Sequence, residues 1–331
     1  MKNIILGYAS KYLCSLCSRK NILSLLLCFF ISFFGQCQKS QPEPLHVSDS
    51  KPVISNSVLT LKLDLTRGGA ICYLSLAGSD RNIVNINDEG RYIQQSYYAG
   101  KSVNRQSEGQ SPSWSPWSWN PIQVGDAFGN RAKILDFKKE ESELYVKCTP
   151  MQWDMKNRPA EAEMEQWTTL QGNTLKVKNR LTCHRTDKIY GDSILNDQEL
   201  PAVYPISALK KLYTYLGDFP FKNEAMSNPD VVNLSSGFWG TYKNVSEHWM
   251  AFVDDNLWGM AVYNPTSNYF LAGMAGVPDK EALDGSTSYI APVKKEILYK
   301  KCVYEYEYYI IVGTLTEIRK KIYELNLQNN S

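Results

Sequence analysis

Neither sign of charge is in excess in this chain of 331 residues: 36 Lys and Arg stand against 34 Asp and Glu, a net charge of +2. Nucleic-acid binders carry a marked basic surplus, so that class is set aside. Histidine is scarce. The three present, His46, His184 and His248, are scattered, and no metal site or cofactor is expected from them. No glycine-rich phosphate loop and no internal repeat occurs, which removes nucleotide-binding α/β folds and solenoids from consideration. What the chain has in quantity is aromatic side chains: 21 Tyr, 11 Phe and 8 Trp, with every Trp at or beyond Trp114. Strands favour aromatics, so much of this is structural, but a group of Trp in one loop asks for another reason.

The first 37 residues read as an address. Lys11, Arg19 and Lys20 precede an apolar run from Ile22 to Phe34, shorter than the ~20 residues that span a bilayer. Gly35-Gln36-Cys37 follows at once. Basic segment, apolar segment and cysteine together resemble a bacterial lipoprotein signal. That resemblance implies a lipid on Cys37, a membrane partner through that lipid, and a place in the envelope of a Gram-negative cell, in the periplasm or on the outer-membrane surface. A cleaved soluble signal and a retained anchor are the other two readings. The Pro-bearing stretch to residue 55 reads as a tether, and residues 56–331 as one domain. Cys14, Cys17 and Cys28 leave with the signal. Cys72, Cys148, Cys183 and Cys302 remain, and an oxidising compartment permits disulfides among them, with buried free thiols as the equal alternative.

From about Asn56 the pattern is strand, turn, strand. Val58 to Leu65 alternates apolar and polar residues with period two. Ala70 to Leu76, Leu144 to Cys148, Glu163 to Thr169 and Thr174 to Thr182 continue it, with Gly172-Asn173 as a hairpin turn. Met250 to Val253, Trp258 to Tyr263, Tyr269 to Met274 and Val303 to Val312 form a later series. The best helix is Thr314 to Leu325, where Thr314 and Glu317 have capping-box spacing and Ile318, Ile322 and Leu325 share a face. A second helix is possible over Ile206 to Tyr215. The whole predicts an all-β, large antiparallel sandwich with one C-terminal helix.

Three segments carry candidate chemistry. In the first, Arg91, Gln95, Tyr97 and Tyr98 are followed by Trp114, Trp117, Trp119 and Asn120, then Asp126. Flat indoles suit the apolar faces of sugar rings, while Arg, Asn, Gln and Asp bind hydroxyls, and buried polar groups give such a site its selectivity. The alternative is a loop that folds its Trp back onto the sandwich. In the second, Glu199 sits before Leu200-Pro201 at a strand end, where apolar neighbours would raise its pKa and suit it to proton transfer; the alternative is a turn carboxylate held by backbone amides. The third is Glu247-His248. Alternation sends these two side chains to opposite faces, so one of them at most reaches a cleft.

These segments resemble the galactose mutarotase-like superfamily, the β supersandwich shared by aldose epimerases and by catalytic domains of several polysaccharide lyases and glycosidases. The resemblance rests on Gly68-Gly69-Ala70-Ile71 with Leu74 and Gly78, on Asn82 and Asp88-x-Gly90-Arg91, and on Trp258-Gly259-Met260-Ala261-Val262-Tyr263-Asn264-Pro265. It runs loosely over residues 56–326. It implies a carbohydrate partner and places Glu199 as the carboxylate base. No histidine stands at the family's position before it, which points away from simple sugar epimerisation.

The expectation is therefore an exported enzyme that cleaves glycosidic bonds. As a hydrolase it would use Glu199 with Asp126 or Glu247, and Arg91, Tyr97, Trp119 and Asn120 would hold the sugar. As a uronate lyase it would take Tyr97 or His248 as base, with Arg91 neutralising the substrate carboxylate. A non-catalytic glycan-binding surface lipoprotein is the alternative function.

Overall fold

The computed structural model describes residues 50–329. The segment read as a signal, Cys37 and the expected tether as far as residue 49 lie outside the described residues. The expected tether ends too late, however. Val53–Ser55 is already a strand, paired antiparallel with Leu59–Asp64.

Two antiparallel sheets face each other. The ten-stranded sheet runs, edge to edge, through Val53–Ser55, Leu59–Asp64, Ala70–Leu76, Ile93–Ser96, Asn196–Val203, Thr287–Glu296, Tyr269–Ala275 and Gly240–Tyr242, with Pro121–Ile122 and Met151–Gln152 attached beside the fourth strand. The eight-stranded sheet runs through Lys211–Thr214, Trp249–Val253, Trp258–Tyr263, Val303–Thr314, Thr174–Cys183, Ala162–Gln171, Glu143–Thr149 and Lys133–Lys139. A two-stranded ribbon, Ala99–Val103 with Trp117–Trp119, stands apart. Every strand read from alternation is present. The segment Ile206 to Tyr215 is not a helix, because Lys211–Thr214 pairs with Trp249–Val253 and closes that edge of the sheet.

Period-two alternation sorts the side chains into layers. Between the sheets, Leu61, Leu63, Ile93, Tyr97, Val177, Leu181, Ile290, Tyr308 and Ile310 belong to one buried core. Tyr304, Tyr306 and Tyr308 pave one side of their strand, as the sequence suggests, and Tyr97 meets the first two edge-on. The helix Leu315–Asn329 covers part of the outer face of the eight-stranded sheet, where Ile318, Ile322 and Leu325 pack on Trp249, Ala251, Tyr309 and Ile311. Its capping box is formed. The Glu317 carboxylate accepts from Thr314 N and Oγ1, both at 2.8 Å, and Glu317 N donates to Thr314 Oγ1 at 3.4 Å. The outer face of the ten-stranded sheet has no such cover from helix among the described residues.

The glycine pair at 68–69 makes the turn into Ala70–Leu76. Gly68 has φ +61°, and a Cβ there would lie 2.0 Å from the Gln123 carbonyl oxygen, so both the backbone angle and the close approach require glycine.

Candidate functional site

The open face of the ten-stranded sheet gathers a group of side chains around Glu199. On the strand Thr287–Glu296, Ile290 enters the core while Tyr289, Ala291 and Val293 join a separate outer cluster with Ala202, Tyr204, Trp239, Tyr269 and Leu271. A register shift between Glu199 and Val203 marks a bulge in the Glu199 strand. Such bulges re-aim side chains. Here both Glu199 and Ala202 end up on the outer face, with Leu200 buried in the core between them.

Glu199 is partly exposed, and Tyr289, fully buried, donates to its Oε1 at 2.5 Å. Burial raises the Glu199 pKa above the ordinary carboxyl value, and the negative charge of Asp197 adds to the rise. The hydroxyls of Ser96, Tyr289 and Tyr98 oppose it. Ser96 Oγ is buried beside the carboxyl without a fully formed hydrogen bond. Tyr98 is held by Gln198, whose Oε1 accepts from Tyr98 N at 2.9 Å and whose Nε2 donates to Tyr98 O at 2.7 Å. Burial and the neighbouring carboxylate drive the phenols of Tyr98 and Tyr289 well above their usual range, so both stay neutral donors.

Aromatic rings extend from this centre in two directions. Tyr289 stacks on Trp239 with centroids 4.5 Å apart and lies 4.9 Å from Tyr204. The Arg91 guanidinium sits 5.4 Å over the Tyr204 ring. Its Nη2 donates to the Gly285 carbonyl at 3.2 Å, while its Nε is buried with no partner. On the other side, Tyr98 meets Trp117 at 6.2 Å, Trp117 meets Trp114 at 5.0 Å, and Trp114 meets Trp153 at 5.5 Å. All four of these rings are partly exposed. Two surface hollows of about 260 and 310 Å³ lie elsewhere, beside Trp258 and Trp167, and neither borders Glu199.

The structure thus brings Glu199, Arg91, Tyr98 and Trp117 together. It sends the other expected residues elsewhere. Gln95 and Tyr97 alternate with Ser96 and Tyr98, so they point into the core, where Tyr97 Oη donates to Gln95 Oε1 at 2.8 Å. Trp119 is fully buried, with its Nε1 donating to Glu161 at 3.2 Å and the Arg185 guanidinium 4.9 Å over its ring. Asn120 is buried one step from the face. Its Oδ1 accepts from Trp117 Nε1 at 3.1 Å and its Nδ2 donates to Tyr97 O at 2.8 Å, so it holds the indole in place.

Asp126 and Glu247 are not partners for Glu199. Asp126 is fully buried and organises a turn, accepting from Phe128 N and Asn130 N at 2.9 Å and from Asn157 N at 2.7 Å. Glu247 belongs to the helix side, beyond the eight-stranded sheet and away from Glu199. It accepts from Arg319 Nη2 at 2.8 Å, Arg319 Nε at 3.0 Å, Trp249 Nε1 at 2.9 Å and Tyr323 Oη at 2.7 Å. Burial pushes its pKa up, and these donors, Arg319 first, more than reverse it, so the carboxylate stays charged. His248 takes a left-handed turn at φ +61° with Nδ1 2.9 Å from the Ser267 carbonyl, and is part of that turn.

The residue that sequence reasoning passed over is Asp197. It lies two positions before Glu199 on the same strand and hence on the same face. Its Oδ2 accepts from Tyr269 Oη at 3.4 Å, and its Oδ1 is buried without a partner. Alternation along Asn196–Val203 was signal enough to find it. Tyr289, Trp239 and Tyr269 had no such signal, because they reach the site from other strands and loops, whereas Tyr204 directly follows the Glu199 strand.

No family model and no curated protein matches the chain. Solved structures do. The chain is similar to a galactose mutarotase related enzyme from Lactobacillus acidophilus, at 9% identity, with 79% of this chain and 97% of that one covered and a TM-score of 0.45. It is similar to a galactose mutarotase-like protein from Lactobacillus casei, at 12% identity, with 79% and 99% covered and a TM-score of 0.46. It is also similar to a heparan sulfate lyase from Pedobacter heparinus, at 6% identity, with 81% and 37% covered and a TM-score of 0.39.

Proposed function

We propose that this protein is a carbohydrate-active enzyme that cleaves a glycosidic bond by hydrolysis, with Glu199 as its proton-transfer group. The observation that carries this is a carboxyl with a raised pKa, partly exposed among aromatic rings, with a second carboxyl two residues along the same strand face. A raised pKa keeps an acid protonated at the pH where it must donate. Glu199 would give its proton to the departing glycosidic oxygen. Asp197, about 7 Å along the strand, would take a proton from the attacking water, a spacing that suits an inverting reaction at about 6.5–9.5 Å. Trp117 and Trp239 would stack on sugar rings, and Arg91, whose side chain is partly exposed, would bond the substrate through its guanidinium. The lyase reading is less well supported, since Tyr97 is in the core and Tyr98 is driven away from the phenolate that a base requires.

The test is a panel of polysaccharides scored both for new reducing ends and for unsaturated uronate absorbance. Reducing ends without uronate absorbance are expected on at least one glycan. Glu199→Gln should lower that activity by about 10²-fold or more, with its melting profile intact. Binding without turnover by the native chain would instead select the non-catalytic glycan-binding reading. Export and lipidation at Cys37 remain part of the proposal, supported by the order of basic run, apolar run and cysteine.

A further inference from the structure

The four described cysteines are thiols, and two of them differ from the others in their setting. Cys72 and Cys148 are buried singly, and burial raises both thiols to about 12. Cys183 and Cys302 stand together. The strands Thr174–Cys183 and Val303–Thr314 pair in a register that sets Thr182 opposite Val303, which puts Cys183 opposite Cys302. Cys183 N donates to Cys302 O at 2.8 Å, continuing the ladder past the last paired residues. Directly opposed residues of a hydrogen-bonded antiparallel pair have Cα atoms about 5.5 Å apart, inside the range of about 4.4–6.8 Å that a disulfide accepts.

The place matters as much as the geometry. At Cys183 the chain leaves the eight-stranded sheet, crosses through 184–195 and enters the ten-stranded sheet at Asn196. At Glu296 it leaves the ten-stranded sheet, crosses back through 297–302 and re-enters at Val303. Asn196 and Glu296 are themselves paired, and Lys300 meets Asp192 at 2.8 Å between the two crossings. The two crossings therefore run side by side, with a strand pair at one end and two opposed cysteines at the other.

We propose that Cys183 and Cys302 are a disulfide site, and that the bond staples the two crossings where they meet the eight-stranded sheet. The oxidant is a small-molecule or protein disulfide. One thiolate of the pair attacks a sulfur of that disulfide and releases the first thiol. The second thiolate then attacks the mixed disulfide, forming the Cys183–Cys302 bond and releasing the second thiol. Two protons and two electrons pass from the cysteine pair to the oxidant. The Cys183 thiol is lowered to about 7, chiefly by its contact with Cys302, which supplies thiolate near neutral pH. Cys302 is only partly buried and gives the oxidant an approach.

The experiment uses the full chain, equilibrated in oxidised glutathione or in a dithiol reductant. Peptide mapping without reduction should find one linked pair, the peptides of Cys183 and Cys302, after oxidation only. The oxidised form should melt several degrees above the reduced form. The Cys302→Ser and Cys183→Ala variants should both lose the link and the redox-dependent rise in Tm. Alkylation of both cysteines after oxidation and denaturation would overturn the proposal. So would a link through Cys72 or Cys148, or a link that forms without raising Tm.

Discussion

At the scale of single residues, Glu199 carries the most consequence. Its raised pKa comes from burial on the outer face and from Asp197. A carboxyl with a raised value is stabilised in its protonated form by the fold. That contribution is complete below the unfolded value of about 4.3 and is lost as pH rises through the folded value. Glu199→Gln keeps a neutral side chain throughout, so it escapes the loss. Thermal unfolding followed from about pH 4 to pH 9 should show the variant gaining on the native protein as pH rises, then holding a constant lead. A difference in Tm that stays flat across that range would mean that the carboxyl is not held up. Glu199 and Arg91 were legible as candidates in sequence because a carboxyl just before Leu200-Pro201 and an Arg in a polar loop stand out from the strand pattern. The tryptophans were legible only as a group. Trp117 and Trp119 sit two apart in one short strand, yet one is partly exposed and the other buried, because Trp119 packs against Arg185. Which indole faces outward depends on that packing partner, sixty-six positions later in the chain.

Among the elements, strands such as Leu59–Asp64, Ala162–Gln171 and Thr174–Cys183 declared themselves because each buries one face more than the other, and a buried face imposes period two. Ile206 to Tyr215 misled because its apolar residues suit a helix, whereas its neighbour Trp249–Val253 offers an open ladder of backbone partners that decides the matter. The terminal helix was legible down to its cap. What the helix holds was not. Arg319 projects from it to the fully buried carboxylate of Glu247 and also donates to the Glu224 carbonyl. Removing one member of such a pair leaves an uncompensated charge in the interior. Arg319→Met should therefore lower unfolding stability by about 3–5 kcal/mol. Pairing it with Glu247→Leu should restore much of that loss, since no charge is then stranded. Urea unfolding midpoints of the two variants check this, and equal midpoints would show that the carboxylate was not the source.

At the scale of the whole molecule, alternation predicts strands and says nothing of their order. Thr174–Cys183 pairs with the adjacent Ala162–Gln171 on one side, which a hairpin turn announces, and with Val303–Thr314 on the other, which nothing local announces. The proposed site suffers the same blindness, since most of its rings come from strands far apart in the chain. The position of Val303–Thr314 has a further consequence. It follows every other strand of the described residues, yet it lies in the interior of its sheet, between Trp258–Tyr263 and Thr174–Cys183. Until it arrives, two hydrogen-bonding ladders stand open and face each other across an empty slot. Exposed strand edges recruit other chains. A protein cut before Val303 should be recovered as aggregate, while the native chain stays soluble, a difference that sedimentation after expression will read. During synthesis the same gap stays open until Val303–Thr314 is added, so a chain stalled or slowly threaded before that point is adhesive and needs shelter until this keystone drops into place.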